Sequence, residues 1–276
     1  MSKINSQPFF SIVIANYNHG KYISFAIESV INQSFKNFEL IIIDAQSTDN
    51  SLEVIHNYKD KISWWVSEPD SGQSEAFNKG FNKAKGKFIF WLNADDIILK
   101  DSLQNLYSSI IKDNFENHWY SANTIFFNEN GLIKKCTNGP KWNDFLIKKS
   151  PLSVYGPSSI FSKEIFDAVS GFDEELHFGM DTDLWYRFKS KGFKFKKINK
   201  YFWGFRVHND SKTSHAFLTE KNPDFHRETI KIKEKNNIKF SKVYFLLLKI
   251  LKLVNGNYLK SYYDTFKLKN KHISNF

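Results

Sequence analysis

The chain has one cysteine, Cys136, in 276 residues. No disulfide can form within it, and a reducing compartment is expected. No stretch approaches the roughly 20 apolar residues that a membrane-spanning helix needs. The first residues, Met1-Ser-Lys-Ile-Asn-Ser-Gln-Pro8, lack the apolar core of a secretory leader. Neither a G-x-G-x-x-G nor a Walker sequence is present, which speaks against a dinucleotide fold and a P-loop ATPase. Helix-turn-helix, zinc-finger and RNA-binding signatures are also missing, so no nucleic-acid partner is expected. There is no internal repeat and no low-complexity linker. What remains is a cytoplasmic globular protein, long enough for one large α/β domain with an appendage.

What is present is aromatic and basic. Aromatic residues make up 17% of the chain, driven by 28 Phe, within an apolar content of 41% that fits a buried core. Lys and Arg (39) exceed Asp and Glu (29) by 10. The excess is uneven, because acidic clusters lie early and lysines crowd the C-terminal end. Such asymmetry suggests an anionic partner.

Period and punctuation give the elements. Phe9–Ala15 is a buried β-branched strand, followed by the polar turn Asn16-Tyr-Asn-His-Gly20. A helix with Ile23, Ala26, Ile27, Val30 and Ile31 on one face comes next. A second strand, Phe38–Ile43, ends at Asp44, and Ser47-Thr-Asp-Asn50 caps another helix. A third strand at Ile62–Val66, a helix over 74–84 and a fourth strand at Lys87–Leu92 complete the pattern, with a helix starting near Asp101. Strands alternating with helices predict βαβ units and a mostly parallel sheet. Later runs, Trp119–Phe127 and Ser158–Phe161, suggest a more mixed sheet, followed by a helix at Asp181–Lys191 and a strand at Phe193–Ile198.

Polar strand ends on one sheet edge mark a ligand site. The most informative is Asn93-Ala-Asp-Asp96, where an apolar strand runs into adjacent carboxylates. They repel each other unless a cation lies between them, so a divalent metal that carries phosphates is expected. An exposed Asp-Asp turn capping the next helix is the plainer alternative.

An ordered set of motifs resembles glycosyltransferase family 2. It comprises Ala15-Asn-Tyr-Asn18, Glu28-Ser-Val30, Gln33-Ser34, Phe38–Asp44, Ser47-Thr-Asp49, Ser67–Gly72, Asn78-Lys-Gly80, Asn93–Asp96, Gly171-Phe-Asp-Glu174 and Met180–Trp185. The resemblance covers roughly residues 8–215. It implies a GT-A fold, a nucleotide-sugar donor (a UDP-sugar above all), and inversion at the anomeric centre. By the same resemblance Tyr17 stacks on the nucleobase and Asp44 meets its N–H edge. Many relatives have a second acid where Ala45 stands, which leaves the identity of the base open. Asp70 and Asn78 border the sugar and diphosphate. Asn93-Ala94-Asp95 matches D-x-D, with Asp95 or Asp96 as ligand to Mn²⁺ or Mg²⁺ and the other carboxylate on the ribose or a metal-bound water. Asp181 matches the general base, although Met180 replaces a common Glu. On a helix Asp183 faces elsewhere and pairs locally. His208 matches a late residue at the metal or diphosphate, flanked by Arg206 and Lys212.

The acceptor implied is a glycan or lipid-linked bacterial surface saccharide. A sugar nucleotidyltransferase would need a Gly-rich basic loop after the first strand, and Asn16–Gly20 is not one. Asp95, Asp96 and Asp181 argue against the other alternative, an inactive membrane-surface scaffold. The expected division is a catalytic domain over 1–221, with a nucleotide half at 8–115 and an acceptor half at 116–221. A basic helical extension follows over 222–276. Its segment Val243–Val254 sets Tyr244, Leu247, Leu248 and Leu251 on one stripe, surrounded by lysines. That pattern suits an anionic membrane interface on the inner face of the cytoplasmic membrane. Packing on the catalytic domain or in a homodimer is the competing reading.

Overall fold

The computed structural model describes residues 7–113, 118–139, 154, 156–209, 223–238 and 241–276. β1 (Phe10–Asn16), α1 (Ile23–Ile31), β2 (Phe38–Asp44), α2 (Ser51–Asn57), β3 (Trp64–Ser67), α3 (Gln73–Lys83) and β4 (Phe88–Asn93) alternate as expected. The third strand starts two residues late because a tight 3-10 turn, Lys59–Lys61, occupies its approach. β1 lies between β2 and β4, β3 flanks β2, and all these pairings are parallel. The register sets Asn16 beside Asp44 and Asp44 beside Ser67, so the polar strand ends form one row.

The second half joins through antiparallel pairs. β5 (Ile97–Ile98) and α4 (Ser102–Ile110) lead to β6 (His118–Asn128), β7 (Ile133–Thr137) and β8 (Ser159–Ser162). α5 (Lys163–Asp167), α6 (Met180–Ser190) and β9 (Lys194–Val207) follow. β8 pairs antiparallel with β4 and β6, while β9 runs parallel to β6 and antiparallel to β5. The expected strand at 193–198 is only the first half of β9. Exposed Asn199 and Lys200 interrupt its apolar pattern, but pairing with β6 carries the strand to Val207. The tail contains α7 (Pro223–Lys235), α8 (Lys242–Val254) and α9 (Asn257–Leu268).

Alternation along the strands feeds two cores. Ile12, Ile14, Leu40, Ile42, Phe88 and Phe90 pack with α1 and α4 on one face. Val13, Ile41, Ile43, Ile89 and Trp91 pack with α3 and α6 on the other. The aromatic content concentrates on this second face, where Trp185 of α6 stacks on Trp119 at 4.4 Å and 9°. Offset stacking adds to area burial and fixes how α6 lies on the sheet. Ile232 and Ile238 enter the same core. α7 therefore packs into the same core as α3 and α6.

Candidate functional site

The row of strand ends is locked before any ligand arrives. Asp44 is fully buried, and both of its oxygens are engaged. Oδ1 accepts from Asn16 Nδ2 (2.7 Å) and Ser47 Oγ (2.6 Å), and Oδ2 accepts from Ser47 N (2.9 Å) and Ser67 Oγ (2.6 Å). Four donors saturate the carboxylate, so Asp44 ties together the loops after β1, β2 and β3. The contact to a base that the resemblance implies would have to be made alongside these four. Tyr17, in contrast, stands 59% exposed immediately after β1. Asp70 is half-buried and accepts from Gly72 N at 3.0 Å. Burial raises its carboxyl above the ordinary value, with Glu75 and Asp44 adding to the effect.

The adjacent acids after β4 separate into different environments. Asp95 Oδ2 lies 2.9 Å from His208 Nε2, while the imidazole is buried and packs 4.8 Å from the Tyr22 ring. Asp96 turns inward and is 1% exposed. Its oxygens accept from Arg206 N (2.8 Å) and Asn93 Nδ2 (2.9 Å), and burial raises its carboxyl well above the usual range, with Asp95 adding to the rise. Asp96 is thus a tie between β4 and β9. Arg206 completes that tie by donating from Nε to the Asp95 carbonyl at 2.8 Å. Its guanidinium sits 4.7 Å from the Phe127 ring centroid and about 5 Å from those of Tyr22 and Phe25, inside rather than facing phosphate. Lys212 lies outside the described residues.

Asp95 and His208 are the pair able to hold a divalent ion. Adjacent ligands of an octahedral ion at about 2.1 Å stand about 3 Å apart, which their separation matches. His208 Nδ1 has no hydrogen-bond partner among the described residues, leaving a second imidazole nitrogen open. No group of three or more His, Cys, Asp or Glu suited to a metal occurs among the described residues. An ion here would complete its shell from phosphate oxygens and water, as Mg²⁺ commonly does.

α6 carries Asp181 in its first turn. Its Oδ1 accepts from Thr182 N at 2.6 Å, and burial pushes the carboxyl up to about 6. Gly156, in the turn before β8, packs on it: a Cβ there would strike the Trp91 ring and stand 3.0 Å from Asp181 Oδ2. Only glycine lets this turn approach the carboxylate so closely. Asp183 faces the other way, fully buried, paired with Arg187 Nε at 2.6 Å and accepting from Asn236 Nδ2 at 3.1 Å.

Two positions carry roles that the sequence pattern does not disclose. Asn78 accepts from Phe172 N and donates to the Phe172 carbonyl, so it clamps the 171–174 loop onto α3 instead of reaching a sugar. Glu228 of α7 accepts from the backbone N–H groups of His177, Phe178 and Gly179 at 2.8, 2.8 and 3.1 Å. These groups lie in the turn that leads into the helix bearing Asp181, so a carboxylate from α7 pins the approach to α6 near its positive end. No local motif announces a partner 50 residues away. The Gly156-Pro157 dipeptide, by comparison, is a readable turn cue.

The parallel first half of the sheet, its row of polar strand ends, the carboxylate–imidazole pair and the raised carboxyl of α6 fit a GT-A-type fold. The Glycosyl transferase family 2 model matches residues 11–169, and the chain belongs to that family. It is a glycosyltransferase. Over 255 residues it is 30% identical to an uncharacterized glycosyltransferase of Methanocaldococcus jannaschii, covering 88% of this chain and 87% of the relative. It is 29% identical over 230 residues to the hyaluronan synthase of Pasteurella multocida, covering 81% of this chain but 23% of that one. The S. aureus TarS 1-349 structure in complex with UDP-GlcNAc superposes with a TM-score of 0.59 at 19% identity, over 74% of this chain and 60% of that one. A Pyrobaculum calidifontis mannosyltransferase in complex with GDP-Man and Mn²⁺ gives 0.55 at 14% identity, over 77% of this chain and 60% of that one. These two likenesses show the fold.

Proposed function

We propose that this chain is an inverting, metal-dependent glycosyltransferase moving a sugar from a nucleotide donor to a glycan or lipid-linked acceptor in surface polysaccharide synthesis. The observation that carries this reading is Asp181, a carboxyl raised to about 6 at the start of α6, in a chain that also pairs Asp95 with His208. A base tuned toward neutral pH accepts a hydroxyl proton more readily than an ordinary aspartate. Asp181 takes the proton from the acceptor hydroxyl. The acceptor oxygen then attacks the anomeric carbon as its bond to the diphosphate breaks, and the nucleoside diphosphate leaves with the electron pair. Inversion follows from this single in-line step.

Asp95 and His208 would hold the divalent cation, whose chemistry is to neutralise charge on the diphosphate. The exposed Tyr17 ring supplies a stacking surface for the nucleobase. Asp70, beside the start of α3, borders the sugar hydroxyls. Asp44, Asn78 and Asp96 act by holding the loops that make the donor site. The UDP-GlcNAc complex of TarS supports a UDP-sugar donor, and the hyaluronan synthase relative supports a saccharide acceptor. The 1–221 catalytic unit is proposed with α7 added to it.

A thermal-shift panel of nucleotides and nucleotide sugars with Mn²⁺ tests the reading, followed by detection of nucleoside diphosphate release. The expected result is one base that raises the melting temperature and one donor family that is turned over. No shift with any nucleotide and no release from any donor would sink it.

A further inference from the structure

The tail helices carry an apolar surface that the catalytic body leaves uncovered. In α8 the exposed stripe is Val243, Leu246, Leu247, Ile250, Leu253 and Val254, spaced at i, i+3, i+4, i+7, i+10 and i+11. Of the stripe expected from the sequence, Leu247 belongs to this exposed face, while Tyr244 and Leu251 are half-buried. Among the described residues, nothing covers the exposed face. α9 docks on β7 through Thr265, whose Oγ1 accepts from Cys136 N, and through Asp264, which accepts from Tyr201 on β9. Its opposite side shows Leu259, Tyr262, Tyr263 and Phe266, with Tyr262 at 76% and Phe266 at 79% exposed. Left-handed Gly256 joins the two helices into a hairpin.

Charge identifies what covers this surface. From residue 242 to the end there are seven lysines and one acid. That acid, Asp264, turns inward to Tyr201 and Lys260. Lys242 and Lys249 flank the α8 stripe, and Lys260 and Lys267 flank that of α9. A second copy of the chain would set lysines against lysines across a two-fold axis, which opposes pairing. At about 1.5 Å per residue, a 13-residue helix reaches about 20 Å, too short for a hydrocarbon core of about 30 Å, and no described helix is long and apolar enough to cross a membrane.

We infer that the α8–α9 hairpin lies flat in an anionic lipid surface, with its aliphatic and Tyr/Phe side chains among the acyl chains and its lysines on the head groups. The inference rests on the proposed function only in making a lipid-borne acceptor reachable. Binding itself needs no catalysis. This would keep the transferase where such acceptors are held and raise their local concentration.

Co-sedimentation of the full chain with vesicles of phosphatidylcholine, alone or mixed with phosphatidylglycerol, tests it. Binding is expected only with the anionic lipid and should fall in high salt. Each lysine removed should weaken partitioning roughly fivefold. Leu246→Glu with Phe266→Glu should abolish binding yet leave the melting temperature and nucleotide binding unchanged, since both side chains are exposed. Equal sedimentation of parent and double variant overturns the inference. So does a parent dimer that only the double variant dissociates, because a second copy would then be the occupant. A protein that binds vesicles but no nucleotide would keep this inference and remove the catalytic one.

Discussion

Asp181 links a site property to two measurable pH dependences. A base that must be ionised gives transfer rates rising about tenfold per pH unit up to about 6 and level above it. Asp181→Asn should keep donor binding and lower transfer by roughly 10²–10⁴-fold. Stability runs opposite to activity. Below the ordinary value of 3.8 the carboxyl is protonated in both folded and unfolded chains. Between about 4 and 6 the unfolded chain ionises first, so the fold loses stability as pH rises and stays lower above 6. Moving from 3.8 to about 6 at about 1.4 kcal/mol per pH unit makes that loss about 3 kcal/mol. Asp181→Asn should thus melt higher than the parent at pH 7 and much like it at pH 3; a lower melting point at pH 7 would contradict the burial argument. Asp95, Asp181 and His208 were named from the ordered family motifs, with the strand end before Asp95 as a cue of its own. The saturation of Asp44, Asn78 and Asp96 was not legible in the sequence, because hydrogen bonds to Ser67, Phe172 and Arg206 come from chain segments far away in sequence.

The two elements that fix the base are α6 and α7. Glu228 accepts from three backbone N–H groups in the turn leading into α6, and such charge-assisted hydrogen bonds are stronger than neutral ones. Glu228→Ala should lower kcat by about tenfold or more with the donor KM nearly unchanged, because it moves Asp181 and not the nucleotide. Glu228→Gln, which keeps one acceptor oxygen, should recover part of the rate; equal loss in kcat and donor affinity would point to general unfolding instead. Asp183→Ala strands Arg187 inside and should cost on the order of 3 kcal/mol of stability while the pH profile of transfer keeps its shape. The β1–β4 half was readable because buried parallel strands are apolar runs and their connecting helices repeat every 3.6 residues. β5, β7 and the second half of β9 were not. Their partners lie up to about a hundred residues away, and their exposed faces break the pattern.

For the whole molecule, a metal held by two protein ligands, as proposed, would make cation and nucleotide interdependent. Mn²⁺ alone should shift the melting temperature little and UDP alone modestly, with the pair exceeding the sum; by linkage, each raises the affinity for the other by the same factor. Additive shifts would place the cation elsewhere. Asp95→Ala should erase the excess and leave the shift by nucleotide alone. The hairpin adds a readout of a different kind. Cys136, fully buried on β7, has its thiol pushed up to about 11 by burial, and its backbone N–H is capped by Thr265 of α9. Thiolate is the reactive form, so this sulfur should be almost inert to alkylating reagents while α9 is seated. As the single cysteine of the chain, its labelling rate is a native clock for undocking of the tail. Quantitative alkylation would count the molecules whose hairpin has left the sheet, with no probe attached to the helices themselves.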